Sequence, residues 1–297
     1  MTARFRAYTP EDMLKVRQFI SHVYSKLGRP NSWLIARFEF EIFFLQKSAG
    51  WLPEWEQNIG LWEEEDGKLV AVACKDGDFY FQLDTEQPQE SLLMEMFEFI
   101  EEKSRQGTAG YCKLAIPAFM PQLEKMALSR GYELLPNESD NFVSIALDRI
   151  FPVEIPSGFT LCSGADVSNR AKAQGHIMAF NYPGTPYAEQ MLQYYGGIAE
   201  APGYRPELDL SLVNGQGEVV SFCNAFLDEE NKMGILEPVG THRDYRLHGL
   251  GRTIIYEALN RLRAMGMVKA YTGPMQPFYE HIGFELDVEL TVWKKEI

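Results

Sequence analysis

The 297-residue sequence is short of positive charge: 28 Lys and Arg face 42 Asp and Glu, for a formal net charge of -14. A field of that sign repels phosphate backbones and anionic bilayers, so no nucleic-acid partner and no membrane partner are expected. Cysteine is scarce. Cys74, Cys112, Cys162 and Cys223 lie far apart, form no CxxC pair and show no ligand spacing with the five histidines. A disulfide framework and a zinc site are therefore not expected, and the four thiols read as small apolar side chains kept reduced. Long apolar runs are missing as well: no stretch reaches the roughly 18 residues of a membrane span. The opening Met1-Thr2-Ala3-Arg4-Phe5-Arg6 has no apolar signal region, which favours a cytoplasmic location. No GxxxxGK[ST] run occurs, which excludes a P-loop.

Large side chains are plentiful: 19 Phe, 14 Tyr and 5 Trp among 45% hydrophobic residues. The length suits two domains. Phe151-Pro152-Val153-Glu154-Ile155-Pro156-Ser157-Gly158 reads as a connector, because proline fixes the backbone and removes a donor. The expected division is therefore 1–150 and 151–297. The two halves repeat one order of features. Each opens on a short strand and a helix: Phe5 to Tyr8 then Pro10 to Tyr24, and Phe159 to Cys162 then Ala165 to Phe180. Each then carries a hairpin, with turns at Glu63 to Gly67 and at Asn214 to Gly217. Each closes on one tetrapeptide pattern, Gly131-Tyr132-Glu133-Leu134 and Gly283-Phe284-Glu285-Leu286, before a final strand. Three matches in one order point to a duplicated domain.

The chemistry concentrates in the second half. Met233 to Thr241 reads as a strand with an irregularity, since Pro238 cannot donate to a ladder and must sit at a bulge or a splayed position. After the polar Thr241 to Tyr245 comes Arg246-Leu247-His248-Gly249-Leu250-Gly251-Arg252, which leads into a helix. Ile254, Ile255, Ala258, Leu259, Leu262 and Met265 recur at helical spacing, and Gly266 is placed to end it. A strand, a glycine loop and a helix N-terminus together make an anion site, because first-turn amides lack intrahelical partners and the helix dipole is positive there. Gly249 and Gly251 let a diphosphate approach the backbone. Arg243, Arg246, His248 and Arg252 form a small basic cluster in an acidic chain.

These residues resemble the GCN5-related N-acetyltransferases, whose cofactor loop reads [RQ]xxGx[GA] between a strand and a helix. A second signature follows in order: Pro277-Phe278-Tyr279-Glu280-His281-Ile282-Gly283-Phe284, a tyrosine three residues before glycine-phenylalanine. The resemblance extends over most of 157–297. It implies an α/β (α+β) fold of two tandem domains, each a mixed, mostly antiparallel twisted sheet flanked by helices. It also implies transfer of acetyl from acetyl-CoA to a primary amine of a small molecule or peptide by direct attack. The backbone of Val239 and Thr241 would hold the pantetheine arm, and Arg246, Leu247, His248, Gly249, Leu250, Gly251 and Arg252 the pyrophosphate. Tyr279 would protonate the departing thiolate, a phenol being protonated at neutral pH. Glu237 would be the general base, or alternatively a buried carboxylate that shapes the pocket. The family's asparagine after the next strand is missing: here stand Gly273-Pro274-Met275-Gln276-Pro277.

The first half lacks the loop. No glycine occurs between Asp78 and Gln106, the stretch Pro88 to Met96 is acidic, and Ala127 stands where Tyr279 stands in the second half. The expectation is a first domain that has lost its cofactor motif. The acceptor is open. Phe180 to Tyr187 with Tyr194-Tyr195 either lines its pocket or packs the core, and the negative field favours a cationic small molecule. The oligomeric state is likewise open. Two other readings stand beside the transferase: a non-catalytic acyl-CoA-binding or regulatory module, and an aminoacyl-tRNA-dependent transferase, which the acidic charge disfavours.

Overall fold

The computed structural model describes residues 3–47 and 50–297. The strands are β1 Arg4–Ala7, β2 Gly60–Glu63, β3 Leu69–Asp76, β4 Asp78–Leu83, β5 Tyr111–Pro117, β6 Glu133–Ser139, β7 Phe142–Ala146, β8 Phe159–Cys162, β9 Asp209–Asn214, β10 Val219–Asp228, β11 Met233–Thr241, β12 Lys269–Thr272, β13 Glu285–Val288 and β14 Leu290–Glu296. They form two mixed sheets of seven strands, in the orders β1-β2-β3-β4-β5-β14-β6 and β13-β7-β12-β11-β10-β9-β8. The strands expected at 5–8, 159–162 and 233–241 and the two hairpins are all present. The equivalent pairs β4/β5 and β11/β12 are parallel, and a helix makes the crossover that parallel strands require.

The chain forms two compact units: Met1–Leu34, Pro53–Val143 and Gly273–Ile297, and Ile35–Leu52 with Ser144–Thr272. These units interleave across residue 150. In the first sheet, β14 fills the place between β5 and β6, pairing Val292 with Ala115 and Trp293 with both Leu114 and Leu134. In the second sheet the corresponding place, beside β12, is filled by β7, from the first repeat. The last strand of each repeat is therefore exchanged.

The core of the first unit lies between its sheet and the helix Glu90–Gln106, where Phe81, Phe97, Ile100, Leu114, Ile116 and Trp293 are buried. In the second unit every residue of β10 is buried, the condition of a strand covered on both faces. The helix Leu250–Ala264 turns Leu250, Ile254, Ile255, Ala258, Leu259 and Leu262 into that core. Met265, expected on the same face, is 39% exposed because the helix has ended there. The connector is more than a spacer. Phe151 is 2% exposed, and its backbone exchanges two hydrogen bonds of 2.9 Å with the Asn260 side chain, which pins it to the helix Leu250–Ala264. Cys74, Cys112 and Cys223 are buried and Cys162 is half-buried; all four are free thiols. Among the described residues no helix is long and apolar enough to cross a membrane.

Candidate functional site

The site grows from an interruption in β11. Across β10, Cys223 faces Val239 and Ala225 faces Leu236, so Asn224 is opposed by two residues, Glu237 and Pro238. This is the bulge that Pro238 required, since a proline cannot complete a ladder. On the other side of β11 the parallel ladder with β12 covers Met233 to Ile235, and beyond it the edge of β11 opens. The His242 amide donates to Val220 at 2.9 Å. Because amides alternate along a strand, those of Val239 and Thr241 point the other way, toward the opened edge.

Thr241 is held by its hydroxyl, 3.0 Å from that of Ser221. Gly240 is required by close approach: a Cβ there would meet the Phe222 ring at 2.5 Å and Ala179 at 2.9 Å. The chain then turns through the short helix Arg243–Tyr245, where His242 Nδ1 accepts from the Asp244 amide at 3.1 Å. Leu247 adopts φ 67° and Gly249 φ 78°. The left-handed region suits glycine and strains leucine by about 1–2 kcal/mol. Leu247 is fully exposed. Gly249 is the N-cap of the helix Leu250–Ala264, whose first intrahelical bond runs from Thr253 to Gly249. The amides of Leu250, Gly251 and Arg252 therefore have no acceptor within the helix, and a 15-residue helix aligns its dipole behind them.

The four basic residues separate into two roles. Arg243, His248 and Arg252 are exposed. Arg246 is tied down: its Nη2 donates to the Ala179 carbonyl at 2.6 Å and its Nε to the Thr241 carbonyl at 3.3 Å. It caps the C-terminal end of the helix Asn169–Ala179 and fixes the loop's exit angle.

Glu237 is partly exposed, and Arg37 Nη1 lies 3.6 Å from its carboxylate. Arg37 also reaches Glu41, at 3.4 Å, and Gln46 donates to the same carboxylate at 2.8 Å. These residues come from the helix Ile35–Phe40 and the wide π-turn Glu41–Gln46 that continues it. Glu41 is 1% exposed, and a buried carboxylate must be paired. The segment belongs to the first repeat in sequence and to the second unit in space.

Beneath the loop lies an aromatic cluster. His176 is 4% exposed and sits among Phe44, Phe180, Tyr182, Tyr195 and Phe222, with ring centroids 4.5–6.4 Å away. Burial lowers its pKa to about 3, so the imidazole is neutral. Tyr195 is buried, whereas Phe180 and Tyr194 are each about 40% exposed. Cys223, on β10 beside Val239, has its thiol pushed up by burial and by the nearby Asp209 and Glu237 charges.

Tyr279 belongs to the first unit. It is 7% exposed on the short helix Pro277–His281 and packs edge-on against Phe284 at 5.5 Å. Gln276 is the N-cap of that helix, and its side chain makes no cap bond. In the first repeat the loop equivalent to 242–249 joins β4 to the helix Glu90–Gln106. It lies at a pocket of about 270 Å³ lined by Glu64, Asp84 and Glu95 among others. Carboxylates stand where the second repeat presents arginines.

A sequence model of the Acetyltransferase (GNAT) family matches residues 176–284. That span contains the bulge, the loop and the helix it caps. Residues 176–284 are thus similar to GNAT acetyltransferases. The GNAT family transfers acyl groups from acyl-CoA. Solved structures with the same fold include a GCN5-related N-acetyltransferase from Sphaerobacter thermophilus (TM-score 0.62, 19% identity, 99% of this chain and 95% of that one). A tandem GNAT protein from the clavulanic acid biosynthesis pathway aligns at TM-score 0.66 and 12% identity, over 99% and 98% of the two chains. A GNAT acetyltransferase from Colwellia psychrerythraea aligns at 0.58 and 12%, over 98% and 99%. These establish the tandem fold. No curated protein matches the chain.

Sequence reasoning missed Arg37, Glu41 and His176, and it assigned Arg246 to the ligand alone. The Arg37 contact joins opposite halves of the chain, and no spacing rule reaches that far.

Proposed function

We propose that this chain transfers an acetyl group from acetyl-CoA to a primary amine of a small molecule or peptide, in the cytoplasm. The observation that carries the reading is the opened edge of β11, continuous with the unpaired amides of Leu250, Gly251 and Arg252. An extended pantetheine arm can pair with Val239 and Thr241 as an added strand would, and the pyrophosphate then meets the helix N-terminus. The exposed Arg243, His248 and Arg252 add positive charge, while Arg246 holds the loop in shape. The acidic counterpart in the first repeat supports a single cofactor site.

The reaction is direct. The amine nitrogen attacks the thioester carbonyl, the new C–N bond forms and the C–S bond breaks. Glu237 takes the amine proton, directly or through water, and Tyr279 gives its phenolic proton to the thiolate. The role of Tyr279 rests on its place in the YxxxGF motif. Orientation of two bound substrates supplies much of the rate.

Gly249→Glu places a carboxylate in the anion site and is expected to abolish acetyl-CoA binding by calorimetry. Unchanged affinity removes the loop assignment. One observation favours the non-catalytic acyl-CoA-binding reading: Arg37 engages the Glu237 carboxylate and competes with an incoming amine. Release of CoA thiol with a broad amine panel decides between the two.

A further inference from the structure

A pocket of about 640 Å³ opens in the first unit, among β1, β2 and the C-terminal part of the helix Glu90–Gln106. That volume falls among sites for small organic molecules, about 300–1,000 Å³. Its floor is aromatic. Phe5, Trp62 and Phe99 meet in edge-on and tilted contacts, with centroids 5.4–5.8 Å apart. Phe5 is 49% exposed on the edge strand, so its ring is reachable, while Trp62 is buried beneath it.

The charged residues on the lining are four glutamates against one lysine. Glu95 accepts from the Trp62 indole at 3.1 Å, and Glu102 pairs with Arg105 at 3.0 Å. The carboxylates of Glu56 and Glu98 have no hydrogen-bond or ion-pair partner among the described residues. Burial, with a smaller contribution from the Glu11 charge, raises the Glu56 carboxyl above its usual range. Glu98 and Glu102 stand four apart on one helix, a like-charge arrangement that opposes helix stability.

The floor already takes a cation. Lys103 Nζ lies 5.8 Å from the Phe99 ring centroid, at the distance where a ring face attracts an ammonium. An anion would be repelled by the rim, and a neutral apolar guest would desolvate carboxylates without compensating them. A cation with an apolar body satisfies both surfaces. We infer that this pocket is a binding site for a small organic ammonium ion, whose body rests on Phe5 and Phe99, backed by the buried Trp62, and whose charge lies among Glu56, Glu98 and Glu102. It is a different site from the β11 cleft and does not depend on the acetyltransferase reading.

The test is calorimetric titration of the full chain with 4-phenylbutyltrimethylammonium, which has no N–H and cannot serve as an acceptor. Its neutral comparison is 4-phenylbutanol. Saturable binding is expected, about tenfold tighter for the cation, since a desolvated ring contact and nearby carboxylates both favour charge. The exposed double variant Glu98→Gln, Glu102→Gln is expected to weaken the cation about fivefold, and Lys103→Met to tighten it about threefold. Acetyl-CoA affinity in these variants stays at the wild-type value, so the two sites are read by separate titrations. Absence of saturable binding, equal affinity for the alcohol, or weaker binding in Lys103→Met overturns the inference.

Discussion

Arg37 and Glu237, from opposite halves of the chain, stand 3.6 Å apart, and the same guanidinium reaches the buried Glu41. One cation thus serves two carboxylates.

Replacing Glu237 tests the base. Glu237→Gln keeps shape and is expected to lower kcat by about 10²–10⁴-fold with acetyl-CoA affinity unchanged, the usual range for a lost general base. A wild-type kcat would leave the residue as a wall of the pocket. Arg37→Met is expected to destabilise the fold by about 1–3 kcal/mol, because Glu41 is left with fewer donors; urea unfolding measures it.

Arg246 is expected to act through position. Arg246→Ala removes the bonds to Ala179 and Thr241 and should raise the KM for acetyl-CoA about tenfold, the value of one charge-assisted bond. The dependence of affinity on salt should stay at its wild-type slope. Arg252→Gln, by contrast, should flatten that slope, since its charge is exposed in the first turn of the helix. A flattened slope in Arg246→Ala would show that this guanidinium contacts the phosphates itself.

Gly240→Ala puts a Cβ 2.5 Å from the Phe222 ring. Overpacking of this kind costs about 1–3 kcal/mol. Because the crowded neighbours are Phe222 and Ala179, β11 must shift beside the loop, and acetyl-CoA affinity should fall along with the melting temperature. A stable variant with full affinity would mean that the strand has slack there.

His176 predicts a pH dependence. Its folded pKa near 3 lies below the free value of 6.5. Between those values the unfolded chain takes up a proton that the folded chain refuses. Stability is therefore fully present above pH 6.5 and is lost as pH falls toward 3, at about 1.4 kcal/mol per pH unit. His176→Leu should flatten the urea midpoint over that window. It should not lower stability at pH 7, because Nδ1 has no hydrogen-bond partner among the described residues. An unchanged slope would mean that the ring is protonated when folded.

Local features were legible. The Asn214–Gly217 turn and the bulge at Pro238 each follow from one or two residues. What depends on distant partners was not. Phe142–Ala146 and Leu290–Glu296 both read as final strands, and nothing in a strand's alternation names the ladder it will join. Arg246 looked like a phosphate ligand because spacing reports charge, and the carbonyl of Ala179 that engages it lies far away in sequence. Arg37 and Glu41 stand in a stretch with no motif at all. Their importance comes from the burial of Glu41 and the nearness of Glu237 in the folded chain.

The exchange of β7 and β14 bears on how the protein is made. A chain emerging residue by residue completes β1 to β6 early, yet the ladder between β5 and β6 has no middle member until residues 290–296 appear. The first repeat must therefore wait, with two strand edges open, through synthesis of the whole second repeat. A break at residue 150 would leave each half with its neighbour's strand and without its own. Separate expression of the halves should give fragments that associate or aggregate through those edges.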